Sequence, residues 1–243
     1  MENKNLIDFL VYSYFGIVPN DLYNNLYKTN DYDDYCVRKT IMKAYADATN
    51  QGAYNTLFKK DHPNIETLRN DSAEAKKNGA KFIFEAVKKM PCSNEGEFNA
   101  WHEDLCTGIV KEYENVKDNE PFFSYGNAQK WVNMTLKYIF LLNKYCGEYG
   151  KKVVYIKKYL HIPLDSYIIS ALKDNDVVIN EKWSQIAEYG KSDDRNKASY
   201  MAYVNDIKEI AKAPIEWENT AWIEQAEKAK KKDKDKQYQS FWG

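Results

Sequence analysis

Apolar residues recur every three to four positions along almost the whole of this chain, and stretches that alternate apolar with polar residues are nearly absent. A helix turns once in 3.6 residues, so this spacing gathers apolar side chains on one face, whereas a half-buried strand needs a period of two. The pattern predicts an all-α protein of eight or more helices. With 243 residues, 44% of them hydrophobic and 29% charged, the chain can bury a sizeable core and still present a polar exterior.

Val37, Ile41, Ala44, Tyr45 and Ala48 line one face of a first clear helix, which Gly52 ends. Phe82, Ile83, Ala86 and Val87 mark a second that stops at Pro91, and Phe98, Trp101, Leu105, Ile109 and Tyr113 a third. The fourth, through Ala128, Trp131, Val132, Thr135, Ile139 and Leu142, is the most apolar and is expected at the centre. Val153-Val154-Tyr155-Ile156 reads as a short connection to Pro163, after which Tyr167, Ile168, Ala171 and Leu172 give a fifth helical face. Ser192-Asp193-Asp194 resembles a cap for a helix through Met201 and Ile210, and Pro214 opens a last helix that dissolves into a lysine-rich end. With no internal repeat and no long linker, residues 1–227 are expected to form one compact unit with a cleft between two helical sub-domains. Residues 228–243 then form a lysine-rich tail, read first as a solvated helix terminus and second as a nonspecific DNA contact.

No run approaches the eighteen or so apolar residues of a membrane span, and the opening Met1-Glu2-Asn3-Lys4-Asn5 leads into an amphipathic stretch containing Asp8. A cytoplasmic protein without a membrane partner is expected. Net charge is −1 and only Arg38, Arg69 and Arg195 are arginines, so phosphate contacts would fall to lysines and backbone amides. The cysteines, Cys36, Cys92, Cys106 and Cys146, and the histidines, His62, His102 and His161, are dispersed. Zinc and iron-sulfur sites need clustered ligands, so neither a metal nor a cofactor is expected.

One constellation suggests chemistry. Ser124-Tyr125-Gly126-Asn127-Ala128-Gln129-Lys130 reads as a glycine-led helix start, whose first-turn amides are a natural seat for phosphate. Lys130 falls one turn inside, near the positive end of the helix dipole and the apolar wall of Trp131, where its ammonium form is disfavoured. An amine relieved of its proton is a nucleophile. Downstream, His161-Ile162-Pro163-Leu164-Asp165-Ser166 places Asp165 at or just before another helix start. Taken singly, Lys130 reads as a surface lysine and Asp165 as a helix cap; their conjunction carries the functional reading.

The run Gly126-Asn127-Ala128-Gln129-Lys130, followed by Ile162-Pro163-Leu164-Asp165, resembles the core of the helix-hairpin-helix DNA glycosylases, and is most similar to their lysine-bearing oxidised-guanine branch of archaeal type. The resemblance spans residues 122–172. The usual Pro-Gly-x-Gly hairpin is replaced by Phe122-Phe123-Ser124-Tyr125-Gly126, the lysine-to-aspartate interval is lengthened by an insertion over residues 143–155, and the cysteines of the iron-sulfur branch are absent. The resemblance implies that Lys130 attacks the anomeric sugar carbon and Asp165 assists. It further implies that Ser124, Tyr125, Gly126, Asn127 and Gln129 contact double-stranded DNA, and that an oxidised purine is flipped out and excised, with or without strand cleavage. The departures from the family pattern fit equally a roomier pocket for a bulky modified base of phage DNA, in a defence role. A monomer is the expectation for this class.

Candidates for recognising the base are Tyr125, Asn127 and Gln129 at the helix mouth, Trp101 and His102 on the third helix, and Trp217 and Trp222 on the last. Core packing is the alternative reading for the tryptophans. Two other functional classes stay open. One is a non-catalytic helical binding protein, whose 20 tyrosines and charged tail contact a partner. The other is a hydrolase built on Asp31, Asp33 and Asp34, a cluster that otherwise reads as a solvated loop.

Overall fold

The computed structural model describes residues 2–50, 64–114, 116, 123–178, 182–186, 189–190 and 199–242. Among these residues lie ten α-helices, one 3-10 turn and no strand, so the all-α class holds. In chain order the helices are α1 (Glu2–Phe15), α2 (Asn20–Tyr27), α3 (Tyr32–Asn50), α4 (Ile65–Lys88), α5 (Glu95–Tyr113), α6 (Tyr125–Leu141), α7 (Gly147–Tyr155), α8 (Ser166–Asp174), α9 (Tyr200–Ile210) and α10 (Pro214–Trp242); the 3-10 turn (Trp183–Gln185) lies between α8 and α9.

The apolar run expected at the centre is there. Every residue of α6 from Tyr125 to Asn133 is buried, polar ones included, and α3, α5 and α7 pack around it. Trp131 anchors the packing: it is fully buried, its indole Nε1 donates to the Ile41 carbonyl at 2.9 Å, and its ring lies edge-on to Tyr45. α4 comes close because residue 79 is glycine; a Cβ there would stand 2.9 Å from the Trp131 ring. Removing such a fully packed indole costs about 3 to 5 kcal/mol. The buried apolar residues gather in one core and do not separate into two.

Sequence and structure differ at four places. Val153, Val154 and Tyr155 are not a connection but the end of α7, a nine-residue helix with Val153 inward and Val154 and Tyr155 exposed. So short an element carries too few apolar positions to declare its period. The cap of α9 is Ser199, whose Oγ accepts from the Ala202 amide at 3.4 Å; Ser192, Asp193, Asp194 and Gly52 lie outside the described residues. α10 does not dissolve at the lysines but runs on to Trp242. The fourth is α1, whose apolar residues point largely to solvent. Among the described residues no helix is long and apolar enough to cross a membrane.

Candidate active site

The site grows from the start of α6. Ser124 caps the helix, its Oγ accepting from the Asn127 amide at 3.1 Å while Asn127 Oδ1 accepts from the Ser124 amide at 3.1 Å. The segment 182–186 lies over this turn: the Gly126 amide donates to the Ile186 carbonyl at 3.0 Å, and a Cβ on Gly126 would stand 1.8 Å from the Trp183 carbonyl oxygen. Glycine is needed here for the close approach of a second backbone. The first-turn amides of Gly126 and Asn127 are thus spent within the chain, and Tyr125, Asn127 and Gln129 are buried. In this conformation the turn offers no open seat for a phosphate.

Gln129 instead joins the two halves of the constellation. Its Nε2 donates to the Gly126 carbonyl at 2.9 Å and the Leu164 carbonyl at 3.1 Å, and its Oε1 accepts from the Leu164 amide at 3.2 Å. One turn on, Asn133 Nδ2 reaches the Ile162 carbonyl at 3.0 Å and the Tyr200 hydroxyl at 2.8 Å, and its Oδ1 pairs with His102 Nε2 at 2.8 Å. Tyr200 bonds His161 Nδ1 at 3.0 Å, and His161 Nε2 bonds Asn99 Oδ1 at 2.9 Å. Burial holds both imidazoles neutral, His102 pushed down to about 4 and His161 well below the usual histidine value. This satisfied polar network straps residues 161–165 to α6.

The strap delivers Asp165 to the N-cap of α8. Its Oδ1 accepts from the Tyr167 and Ile168 amides at 2.9 and 3.0 Å. Oδ2, left over from capping, faces Lys130 Nζ at 3.9 Å and accepts from Trp222 Nε1 at 3.2 Å. Asp165 is therefore at once a cap and a partner of Lys130. The lysine is only 4% exposed, with its ammonium over the Trp183 ring at 4.6 Å. Trp131, expected as its apolar wall, packs elsewhere; Trp183 takes that place. Burial lowers the Lys130 pKa, against the opposing pull of Asp165 and then Asp47.

Both groups line a cavity of about 730 Å³ between α1, α3, α6, α8 and α10, within the range of small-molecule sites. Met134, Lys137 and Leu141 continue the α6 wall, and Glu218, Trp222 and Ile223 form that of α10. Lys137 Nζ meets Glu218 Oε1 at 2.7 Å, while Glu218 Oε2 is buried without a hydrogen-bond partner. Burial raises the Glu218 pKa, with Lys137 pulling it back. On the far wall Asp47 accepts from the Tyr138 hydroxyl, from Tyr14 at 3.2 Å and from Lys43 at 2.6 Å.

Of the residues singled out in sequence, Lys130, Asp165 and Trp222 come together at the cavity. Trp101 donates its Nε1 to the Ala86 carbonyl at 3.2 Å, His102 stacks on Tyr200 within the core, and Trp217 packs half-buried; none of the three lines this cavity. The sequence reading missed Asp47, Tyr138, Lys137 and Glu218. For Lys137 a signal existed, since Lys130, Met134, Lys137 and Leu141 fall on one stripe of α6. For Asp47 and Glu218 none did, because their placement comes from tertiary packing. The acidic cluster is not a solvated loop: Asp33 and Asp34 lie in the first turn of α3, and Asp31 accepts from Tyr23 at 3.0 Å, Asp33 from the Glu148 amide at 3.1 Å, and Asp34 pairs with Lys88 at 3.5 Å. Among the described residues no group of three or more His, Cys, Asp or Glu side chains could hold a metal ion.

Compared with known protein families, with curated proteins and with solved structures, the chain finds no match.

Proposed function

We propose that this protein is a DNA glycosylase that excises a damaged or modified base through the amine of Lys130. The observation that carries the reading is the meeting of Lys130 and Asp165, 3.9 Å apart, both buried and both lining one cavity open to solvent. A desolvated amine with a lowered pKa is the more readily nucleophilic, and a carboxylate at this distance can take its proton and face a developing cation.

The chemistry follows. A nucleotide rotated out of the duplex brings its anomeric carbon to the cavity, because that carbon is out of reach within the stack. The Lys130 lone pair forms the new bond to this carbon as the bond to the base breaks, and the base leaves with the bonding pair. Asp165 Oδ2 stabilises positive charge on the sugar and accepts the proton that the amine sheds. Opening of the sugar ring then leaves a Schiff base to Lys130, from which strand cleavage can follow. The departing base would face the Trp222 indole, with Lys137 as a polar group for its edge. The cavity volume accommodates either an oxidised purine or a bulkier modified base of phage DNA.

The test uses oligonucleotide duplexes carrying oxidised guanine or hydroxymethylated and glycosylated cytosine. These are incubated without added metal, then treated with alkali or with borohydride. Base release and a borohydride-trapped adduct that disappears in Lys130→Gln are expected. Release at the wild-type rate by Lys130→Ala would remove the assignment, and cleavage that requires metal would point to a nuclease. Release without trapping would mean that Asp165 activates water, and the reading would narrow to a monofunctional enzyme.

A further inference from the structure

α3 and α4 both rest on α6 without closing on each other. α3 is fixed through Ile41, whose carbonyl accepts from Trp131, and α4 through Gly79, which sits against the same indole. Between them runs a furrow of about 670 Å³, within the range of small-molecule sites, and it shares no lining residue with the cavity of Lys130. It follows about three turns of α4, from Ala73 to Glu85, roughly 18 Å. Ile41 and Phe84 are buried along it, Met42 stands 43% exposed in its wall, and Ala73 and Ala80 are too short to fill it.

Its charges differ from end to end. Lys76, Lys77 and Lys81 stand toward the start of α4, and Arg38 and Glu85 toward its end. Glu85 is the only carboxylate of the lining, and Lys88 already holds it at 3.8 Å. Among the described residues no carboxylate lies within ion-pair distance of Arg38, Lys76 or Lys81, and Lys77 reaches only Glu74 of its own helix, at 3.3 Å with both side chains exposed. Lys77 and Lys81 are like charges one turn apart, which a helix bears at a cost. Arg38 sets its guanidinium over the Phe84 ring, 4.2 Å from the centroid, and Lys76 its ammonium over Tyr45 at 4.6 Å. Contacts with a ring face leave N–H donors for an anion.

We infer that the furrow binds a nucleoside polyphosphate, with its base at the Arg38 end and its phosphates among Lys76, Lys77 and Lys81. Each part of the lining then has a counterpart. The flat base stacks on the guanidinium and covers the apolar surface of Met42 and Ala80. Glu85, which can only accept, suits an exocyclic amine or a ribose hydroxyl. The phosphates turn the repulsion among three lysines into attraction. Other occupants match less of it. A fatty acid brings one charge to four cations, and a duplex backbone leaves the apolar floor uncovered. The chain's own residues 51–63, which join α3 to α4, hold Lys59 and Lys60 against Asp61 alone and do not complement the lysines.

The site does not depend on the glycosylase reading and is tested apart from base release. ATP is titrated into the full chain by calorimetry at low salt without metal, with adenosine, inorganic tripolyphosphate and a short unmodified DNA duplex as comparison probes. One saturable site is expected, at least about tenfold tighter for ATP than for adenosine or tripolyphosphate, since each of these carries only half of the match. Lys77→Gln with Lys81→Gln, both exposed, should raise the dissociation constant at least about tenfold, and so should Met42→Glu, with the far-ultraviolet circular dichroism unchanged in each. Lys151→Gln with Lys157→Gln, which removes the same charge away from the furrow, should change it less than about twofold. Arg38→Lys keeps the charge and loses the flat stack, so it should weaken ATP by about fivefold and leave tripolyphosphate unaffected. No binding of ATP, tripolyphosphate binding as tightly as ATP, a duplex that displaces ATP from these residues, or affinity untouched by the furrow variants overturns the inference.

Discussion

Two lysines two turns apart on α6 meet their carboxylates in opposite ways. Lys137 closes on Glu218 at 2.7 Å, whereas Lys130 stands 3.9 Å from Asp165 with its ammonium over an indole face. Both pairs are largely buried and both line the same cavity. The difference lies in the prior commitments of the carboxylates. Asp165 is held by two backbone amides and by Trp222, so its direction is fixed by α8 and α10 rather than by the lysine. A short pair makes a lysine a structural cation; a pair held apart by its surroundings leaves the amine available for reaction.

The largest test of that contrast is chemical. On the glycosylase reading, Lys130→Gln should lower single-turnover base release by at least about ten-thousandfold, and Asp165→Asn, which keeps the cap, by about a thousandfold. Lys137→Gln should cost far less, through base binding. Equal losses at both lysines would erase the distinction between the pairs.

Stability should rank the pairs in reverse. Lys137→Met removes the partner of a carboxylate only 1% exposed and should destabilise the fold by about 3 kcal/mol in urea denaturation. Lys130→Met should cost less than about 1 kcal/mol or even stabilise, because it removes a desolvated cation with no short partner. Similar losses from the two substitutions would mean that the Lys130 pair is as settled as the other.

Acid should act on the Asp165 side of the comparison through the polar strap. His102 and His161 have folded pKa values below the unfolded value of about 6.5, so the unfolded chain binds protons that the folded chain refuses. Their contribution is present in full above about pH 6.5 and is lost as pH falls toward the folded value, about 4 for His102. Each histidine should steepen the loss by about 1.4 kcal/mol per pH unit within that window. His161→Gln should remove close to one proton from the uptake on unfolding, read from denaturation midpoints against pH. An unchanged slope would show that the strap does not hold a neutral imidazole.

On the glycosylase reading, the pH dependence of base release sharpens the same point. Because burial lowers the Lys130 pKa, the rising limb of the profile should lie below the ordinary lysine range of about 10.4. The Asp47 charge works against that lowering, so Asp47→Asn should move the limb to still lower pH. A shift upward would contradict the assignment of the limb to Lys130.

What could be read in the sequence was what local pattern controls. The spacing of Trp131, Thr135 and Ile139 located the central helix, and Pro163 with Asp165 located a helix start, because period and cap chemistry are written in neighbouring residues. The pairing of Lys130 with Asp165 was legible through the resemblance of residues 122–172 to a glycosylase core. Glu218 and Asp47 were not, since α3 and α10 are brought to α6 by packing that no local window encodes. The covering of Gly126 by Trp183 was hidden for the same reason: a glycine at a helix start looks alike whether it serves a ligand or a neighbouring backbone. Outward Leu6 and Phe9 hid differently, for apolar periodicity does not say which side of a helix the core lies on.

The smallest effect is the most selective. Trp222 donates to the same Asp165 oxygen that faces Lys130, and its ring lies edge-on to Tyr167 at 5.0 Å, so the indole both hydrogen-bonds and aims that carboxylate. Trp222→Phe keeps an aromatic face and removes the donor. On the glycosylase reading, loss of one hydrogen bond to a charged group, about 1.5 kcal/mol, should slow base release roughly tenfold. The freed carboxylate, no longer shared, would attract Lys130 more strongly, so the rising limb of the rate profile should move to higher pH, opposite to the shift from Asp47→Asn. A tenfold loss with no movement of the limb would mean that Trp222 acts through its face on the base and not through Asp165, and the open pair would then owe its spacing to the α8 amides alone.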